Sequence, residues 1–222
     1  MLTVAVVLQT KNLTGLGRYS PDHVRWMRDQ VSRWLPVPHR FVALVSENVH
    51  GVSCVPLQHE WPGWWSKLEL FSLLEPPVFY MDLDIVLTGD ITHLVTYPHI
   101  FTTSNFVSPG PKGVNSSVMA WDTDLSELYR RFLESPERAF ADHVTSNNWV
   151  DQGFIQTYHP PHMFFNDMWP GEVVSFKRDL RKLDPTGKTK IVVFHGRPKP
   201  QEVVRPWIPT MECSKRAGEP VC

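Results

Sequence analysis

The run Val78-Phe79-Tyr80-Met81-Asp82-Leu83-Asp84-Ile85-Val86-Leu87 is apolar apart from two carboxylates. It follows Pro76-Pro77 and is rich in β-branched and aromatic residues, which predicts a buried strand. Side chains alternate across a strand, so Asp82 and Asp84 are expected on one face and Leu83 and Ile85 on the other. Two like charges held together away from water are costly unless positive charge stands between them. A divalent cation bound by carboxylate oxygens answers that cost most simply, and it points to metal-assisted chemistry on a phosphorylated ligand. The plain alternative is a pair of Asp that caps a loop or pairs with Arg. A mid-strand position with an apolar run on either side fits it less well.

The rest of the chain alternates between strand and helix signals. Val4–Leu8 reads as a strand, and a polar loop follows through Gly15 and Gly17. Ser20-Pro21-Asp22 opens a helix with Ser as cap and Pro at the first helical position. Val24, Met27, Val31 and Trp34 keep helical spacing up to Pro36. Phe41–Val45 and Val52–Leu57 read as strands, and Ser66-Lys67-Leu68-Glu69 has the form of a capping box for a helix through Leu74. Further signals are a weak strand in His99–Phe106, a strand ending at Trp121, a helix on the stripe Leu125, Leu128, Tyr129, Phe132 and Leu133, a helix from Val150 to Tyr158, and late strands at Val173–Phe176 and Lys190–Phe194. The alternation predicts an α/β domain with a mainly parallel central sheet and helices on both faces. Residues 1–200 are expected to form that domain. The Pro-rich, polar stretch 201–222 is expected to be a wrapped or mobile tail.

Composition narrows the function. The 222 residues carry a formal net charge of −1, which supplies no broad basic field for nucleic acid. Cys54, Cys213 and Cys222 lack CxxC spacing, which argues against a zinc site and a disulfide framework. Nine Trp and twenty Pro favour ordered loops and amphipathic surface suited to sugars. The first residues lack a basic leader and read as a strand, and no apolar segment approaches a membrane span. A cytoplasmic protein is the expectation.

Two further segments carry chemistry. In Val192-Val193-Phe194-His195-Gly196-Arg197-Pro198-Lys199-Pro200 a strand runs into a His, a Gly and two cations. His195 is read as a third metal ligand, Gly196 as backbone open to a phosphate, and Lys199 (with Arg197) as charge for a diphosphate. Mixed O and N ligands suit Mn²⁺ or Mg²⁺. In Trp61-Pro62-Gly63-Trp64-Trp65-Ser66-Lys67, Lys67 falls at a predicted helix N-terminus, where a cation is unfavourable unless an anion also binds. A solvated lysine is the alternative. The three Trp are read as core, sugar platform, or both. His159-Pro160-Pro161-His162 reads as a surface loop rather than a metal site.

Taken together, these residues resemble nucleotide-sugar glycosyltransferases of the GT-A fold, most closely the glycogenin and lipooligosaccharide galactosyltransferase group and related bacterial and phage enzymes. In order along the chain, the matches are Lys67 before the D-x-D strand, the D-x-D itself (Asp82, Asp84), Asn115-Ser116-Ser117, Asp151-Gln152-Gly153, and the closing His195-Gly196…Lys199-Pro200. The ordered series is far more specific than a bare D-x-D. The spacing from His195 to Lys199 is shorter than in the best-known members. Thr10 matches the base-binding start loosely, and the Tyr expected to stack on the base is displaced to Tyr19.

The resemblance implies a single GT-A (Rossmann-like) domain and a metal-dependent transfer from a nucleotide-diphosphate donor, UDP-sugar above all, to an acceptor hydroxyl with retention. Asp82, Asp84 and His195 would hold Mn²⁺ or Mg²⁺. Asn115 and Ser116 would shape the sugar pocket, and Lys199, Gly196 and Lys67 would meet the diphosphate. Asp151 and Gln152 would orient the sugar or steady an oxocarbenium-like state, with helix capping as the alternative for Asp151. The acceptor is left open among glycan, protein, lipid and modified nucleic acid. Two rivals remain. A nucleotidyltransferase would use a Gly-rich loop such as Thr14-Gly15-Leu16-Gly17-Arg18, and a non-catalytic carbohydrate-binding module would use the Trp residues but leave Asp82, Asp84 and His195 without purpose. Ser175-Phe176-Lys177 stands out with no role legible in sequence.

Overall fold

The computed structural model describes residues 1–11, 19–106, 113–143 and 150–211. Its strands are β1 (Thr3–Leu8), β2 (Arg40–Val45), β3 (Ser53–Pro56), β4 (Val78–Met81), β5 (Ile85–Leu87), β6 (Thr102–Ser104), β7 (Asn115–Trp121), β8 (Met163–Phe164), β9 (Val173–Ser175) and β10 (Ile191–Val193). The central sheet has the order β3-β2-β1-β4-β7-β6-β8. The pairs β1–β2, β2–β3, β1–β4 and β6–β8 are parallel, while β7 runs antiparallel to β4 and β6. A smaller sheet, β5-β10-β9, stands beside it. The mainly parallel α/β expectation holds.

The period of two in the strand residues sorts the core into two layers. Val4, Val6 and Leu8 of β1 pack with Val24, Met27 and Val31 of the helix Pro21–Trp34. The smaller sheet joins this layer, and the buried Gln30 stitches it on: Leu87 N–H donates to Gln30 Oε1 at 2.9 Å. Ala5, Tyr80 and Trp121 face the other way, onto Leu70, Leu128, Phe132 and Phe154 from the helices Leu70–Leu73, Ser126–Glu134 and Val150–Tyr158.

Two local expectations are corrected. The predicted strand through Asp82 and Asp84 breaks in two: β4 ends at Met81, residues 82–84 turn, and β5 leaves for the smaller sheet. Two carboxylates cannot lie along a dry strand without counter-charges, and the turn brings each within reach of one. Leu83, 3% exposed, anchors it. The capping box at Ser66 and Glu69 does not form either. Gly63–Glu69 is a 3-10 helix continued by the α-helix Leu70–Leu73. Ser66 Oγ donates to the Trp61 carbonyl at 3.1 Å, and the Glu69 carboxylate accepts from the Gln58 and His59 amides at 2.6 and 3.2 Å. Glu69 is thus spent holding the preceding loop. Beyond residue 200, Trp207 and Ile208 pack against the first core layer, and Trp26 Nε1 donates to the Pro209 carbonyl at 3.1 Å. The loop Thr14–Arg18, the end of the tail, Cys213 and Cys222 lie outside the described residues.

Candidate active site

Parallel strands deliver their carboxyl ends to one edge of the sheet, where open α/β sheets gather ligand-binding residues. Here β1 is followed by Gln9 and Thr10 and β4 by Asp82. The antiparallel β7 begins at the same edge, and the Asp82 amide donates to the Ser117 carbonyl at 2.9 Å. That register sets Asn115 and Ser116 beside Asp82. The first turn of the helix Val150–Tyr158 adds Asp151, whose Oδ2 accepts from Ser116 Oγ at 2.5 Å.

Lys67 sits at the centre of this cluster. Far from being solvated, it is 5% exposed. Its Nζ lies 2.8 Å from Asp82 Oδ1, 3.2 Å from Ser116 Oγ and 3.7 Å from Asp151 Oδ2. Burial works against its charge, but Asp151 and Asp82 outweigh it and hold its pKa above the usual lysine range. Asp82 is the mirror case. Burial disfavours its carboxylate, yet Lys67 and hydrogen bonds that include Tyr80 Oη, 2.6 Å away, keep its pKa below the ordinary Asp value.

Asp84 meets a second cation. Lys199 Nζ is 2.5 Å from Asp84 Oδ2, and Tyr19 Oη donates to the same oxygen at 2.9 Å. Lys199 is 6% exposed and lies over the Tyr19 ring, 5.5 Å from its centroid. Even so, burial, with the Asp82 charge added, leaves the Asp84 pKa raised against the pull of Lys199. Asp151 is also raised, first by burial, and its Oδ1 is buried with no hydrogen-bond partner among the described residues. Among the described residues, three carboxylates (Asp84 and Asp151 buried, Asp82 half-buried) therefore face two ammonium groups, and the centre is short of positive charge.

The remaining predicted residues fall around this centre. Asn115 Nδ2 donates to Gln152 Oε1 at 3.5 Å, while its Oδ1 accepts from Ser104 Oγ at 3.0 Å and the Ser117 amide at 3.2 Å. Thr10 is tied to Ser46 through its amide at 2.8 Å and its hydroxyl at 3.0 Å. Tyr19 is committed to Asp84 by its hydroxyl. Gly196 has φ +74°, and nothing lies within 4 Å of where a Cβ would stand, which leaves its backbone open on that side. His195 stacks on Phe106 at 5.4 Å and hydrogen-bonds through Nε2 to Ser175 Oγ at 2.7 Å. Burial, with Lys177 and Arg178 nearby, lowers its pKa, so the ring is neutral at pH 7 and fit to ligate. Among the described residues no group of three or more His, Cys, Asp and Glu is gathered closely enough to hold a metal. The acidic pair and His195 are not brought together as one ligand set.

Some participants were not legible. Tyr80 reads in sequence as one more apolar strand residue, yet its hydroxyl reaches Asp82. Ser175-Phe176-Lys177 gains an account: Ser175 orients His195, and Phe176 stacks on Phe194 at 4.4 Å. Of the three neighbouring Trp, Trp65 is core at 4% exposed, Trp61 stacks on His59 at 4.2 Å, and Trp64 is 40% exposed. His159 and His162 follow the helix Val150–Tyr158 in a non-helical segment, their ring centroids 6.4 Å apart, as expected of a loop.

No family model and no curated protein sequence matches this chain. Solved structures do. The glycosyltransferase GlyE of Streptococcus pneumoniae TIGR4 superposes with a TM-score of 0.61 at 14% identity, over 89% of this chain and 55% of GlyE. The chain thus spans about half the length of that protein. The galactosyltransferase LgtC, crystallised with donor and acceptor sugar analogs, superposes with a TM-score of 0.61 at 14% identity, over 90% of this chain and 89% of LgtC. At such identity the likeness establishes a shared fold, the GT-A architecture expected from the ordered motifs.

Proposed function

We propose that the protein is a metal-dependent glycosyltransferase that moves a sugar from a nucleotide-diphosphate donor, UDP-sugar above all, to an acceptor hydroxyl with retention at the anomeric carbon. The observation that carries this reading is the buried charge centre at the carboxyl end of β4: three carboxylates against two ammonium groups, in a fold shared with two glycosyltransferases. The shortage of positive charge and the partnerless Asp151 Oδ1 fit a site that receives a divalent cation and a polyhydroxyl ligand.

Asp82 and Asp84 are the residues that would hold Mn²⁺ or Mg²⁺, and His195, which is not gathered with them in this structure, would have to close on the pair to serve as a third ligand. Such an ion would supply positive charge to offset that of the diphosphate leaving group. The chain's own residues do the rest. Lys199, now bonded to Asp84, is the ammonium suited to follow charge developing on the leaving phosphate, and the open backbone at Gly196 admits the phosphate closely. Lys67 fixes Asp82 and Asp151 in place rather than waiting free for an anion. Asp151 Oδ1 is left to accept a sugar hydroxyl. Gln152 and Asn115 form an amide pair that orients the same sugar. Thr10 and Tyr19 belong to the base side. The LgtC complex holds an acceptor sugar analog, which favours a glycan acceptor here over protein, lipid or modified nucleic acid. Among the described residues no helix is long and apolar enough to cross a membrane.

Calorimetric titration of UDP with and without Mn²⁺, in the native protein and in Asp84→Ala, tests the reading. Binding that requires Mn²⁺ and disappears in the variant supports it. A folded protein that ignores UDP, GDP and other nucleotides while binding glycans would point to the carbohydrate-binding module instead.

A further inference from the structure

His23 stands at the third position of the helix Pro21–Trp34, outside every motif of the site, and is 5% exposed. Its two ring nitrogens have unequal surroundings. The Ser20 amide, which can only donate, points at Nδ1 from 3.1 Å, and Ser20 Oγ lies 3.1 Å from the same atom. Nδ1 is therefore an acceptor, and a neutral ring must carry its proton on Nε2. That Nε2–H is buried and has no hydrogen-bond partner among the described residues. A buried donor without an acceptor is a lasting cost, and the exceptions in native proteins mark an absent water, ion or ligand.

The surroundings say what kind of acceptor belongs there. The edge of the His23 ring meets Tyr19, with centroids 5.2 Å apart, and Tyr19 is the residue that bonds Asp84 and lies under Lys199. Lys199 is close enough that its charge disfavours protonation of His23. The first turn of a 14-residue helix also contributes its positive end. Lys199 and the helix N-terminus favour an anionic oxygen at this donor, against the opposing charge of Asp22 in the same turn.

We infer that His23 is a diphosphate-binding residue of this site: its ring, fixed by Ser20, presents Nε2–H to a phosphate oxygen of a nucleoside diphosphate held beside Lys199. The inference rests on the nucleotide-sugar reading above. Burial, reinforced by Lys199 and opposed by Asp22, pushes the His23 pKa down to about 4, so the ring is a neutral donor throughout the physiological range.

Two replacements separate the two nitrogens. His23→Asn keeps an acceptor near Nδ1 for the Ser20 amide and deletes the Nε2 donor. His23→Gln places an amide N–H near Nε2. With Mg²⁺ present, His23→Asn is expected to weaken UDP binding about tenfold or more, the worth of a hydrogen bond to a charged group, and His23→Gln to stay within about threefold of native. Inorganic pyrophosphate, which lacks base and ribose, should show the same ranking. In the unaltered protein, ¹⁵N-histidine spectra should show the Nε2–H resonance move on saturation with UDP. Native-like UDP affinity in folded His23→Asn overturns the assignment. So does an Nε2–H resonance indifferent to UDP, the mark of a ring that bonds only buried water. If the unaltered protein binds no nucleoside diphosphate at all, the nucleotide-sugar reading fails and takes this assignment with it.

Discussion

At the scale of single residues, the site is governed by lysines rather than by the carboxylates that first attract notice. Among the described residues Lys67 is the only ammonium bonded to Asp82, and it also compensates Asp151. Removing it leaves buried charge unpaired, which typically costs about 3–5 kcal/mol. Lys67→Met, matched in length and apolar, is therefore expected to lose about that much stability at pH 7, read from urea denaturation. The sign with pH follows from Asp82. Its pKa is held below the unfolded value in the native protein, so its contribution is present at neutral pH and fades as pH falls through the folded value. In Lys67→Met burial is opposed only by the hydrogen bonds from Tyr80 and Ser117, so the Asp82 pKa rises and ionising the Asp82 and Asp151 pair costs stability. The penalty of the substitution should accordingly shrink between pH 7 and pH 4. A penalty independent of pH would mean that Lys67 serves by packing, not by charge.

At the scale of elements, the turns decide what the strands make possible. Gly196 follows β10 with φ +74°, a conformation that costs an L-residue about 1–2 kcal/mol, and no atom stands within 4 Å to clash with a new Cβ. Gly196→Ala should thus destabilise by only about 1–2 kcal/mol, while UDP affinity falls more steeply because the methyl closes the open side of the backbone. Equal losses in urea midpoint and calorimetric affinity would remove Gly196 from the phosphate contact. The same contrast between strands and turns explains what was legible in the sequence. Val4–Leu8 and the stripe Val24, Met27, Val31 carry clear periods of two and near four, and the structure follows them. The run around Asp82 carries an apolar composition but no signal for where the chain changes sheet. That break is set by where Lys67 and Lys199 sit, residues distant in sequence. Ser66 and Glu69 match a capping box locally, yet the tertiary partners of Glu69 are the amides of Gln58 and His59. The helix Pro136–Asp142 passed unmarked because its exposed, charged turns lack an apolar stripe. The motif order located the charge centre, but Tyr80 and His23 enter it only through folding, since nothing in their own neighbourhoods distinguishes them from core or cap residues, and Ser175 stood out in sequence without its role being legible.

At the scale of the whole molecule, the charge centre joins the two sheets. Asp82 follows the last strand of the first half of the central sheet, Asp84 precedes β5, and Lys199 reaches Asp84 from beyond β10. A ligand bound there braces segments that are remote in sequence, so it should raise global stability rather than quiet one loop. Without ligand, Asp84 is a liability. Its pKa is raised on folding, so its unfavourable share appears as pH climbs through the folded value and is absent below the unfolded one. Asp84→Asn keeps the shape and removes the charge. Histidines whose pKa values are lowered, such as His23 and His195, pull stability the opposite way over the acid range, but they are common to both proteins and cancel in the comparison. The variant's stability relative to native should therefore improve steadily from pH 4 to pH 7 when neither protein has ligand. Adding Mn²⁺ and UDP at pH 7 should stabilise the native protein selectively, because only it binds them. At a hundredfold excess over Kd the native protein gains about 2.7 kcal/mol, or about 5–10 °C in Tm for a chain of this size, and the variant gains nothing. If the two melting curves shift together on adding Mn²⁺ and UDP, the ligand binds elsewhere, and the carboxylate turn between the sheets is a structural joint alone.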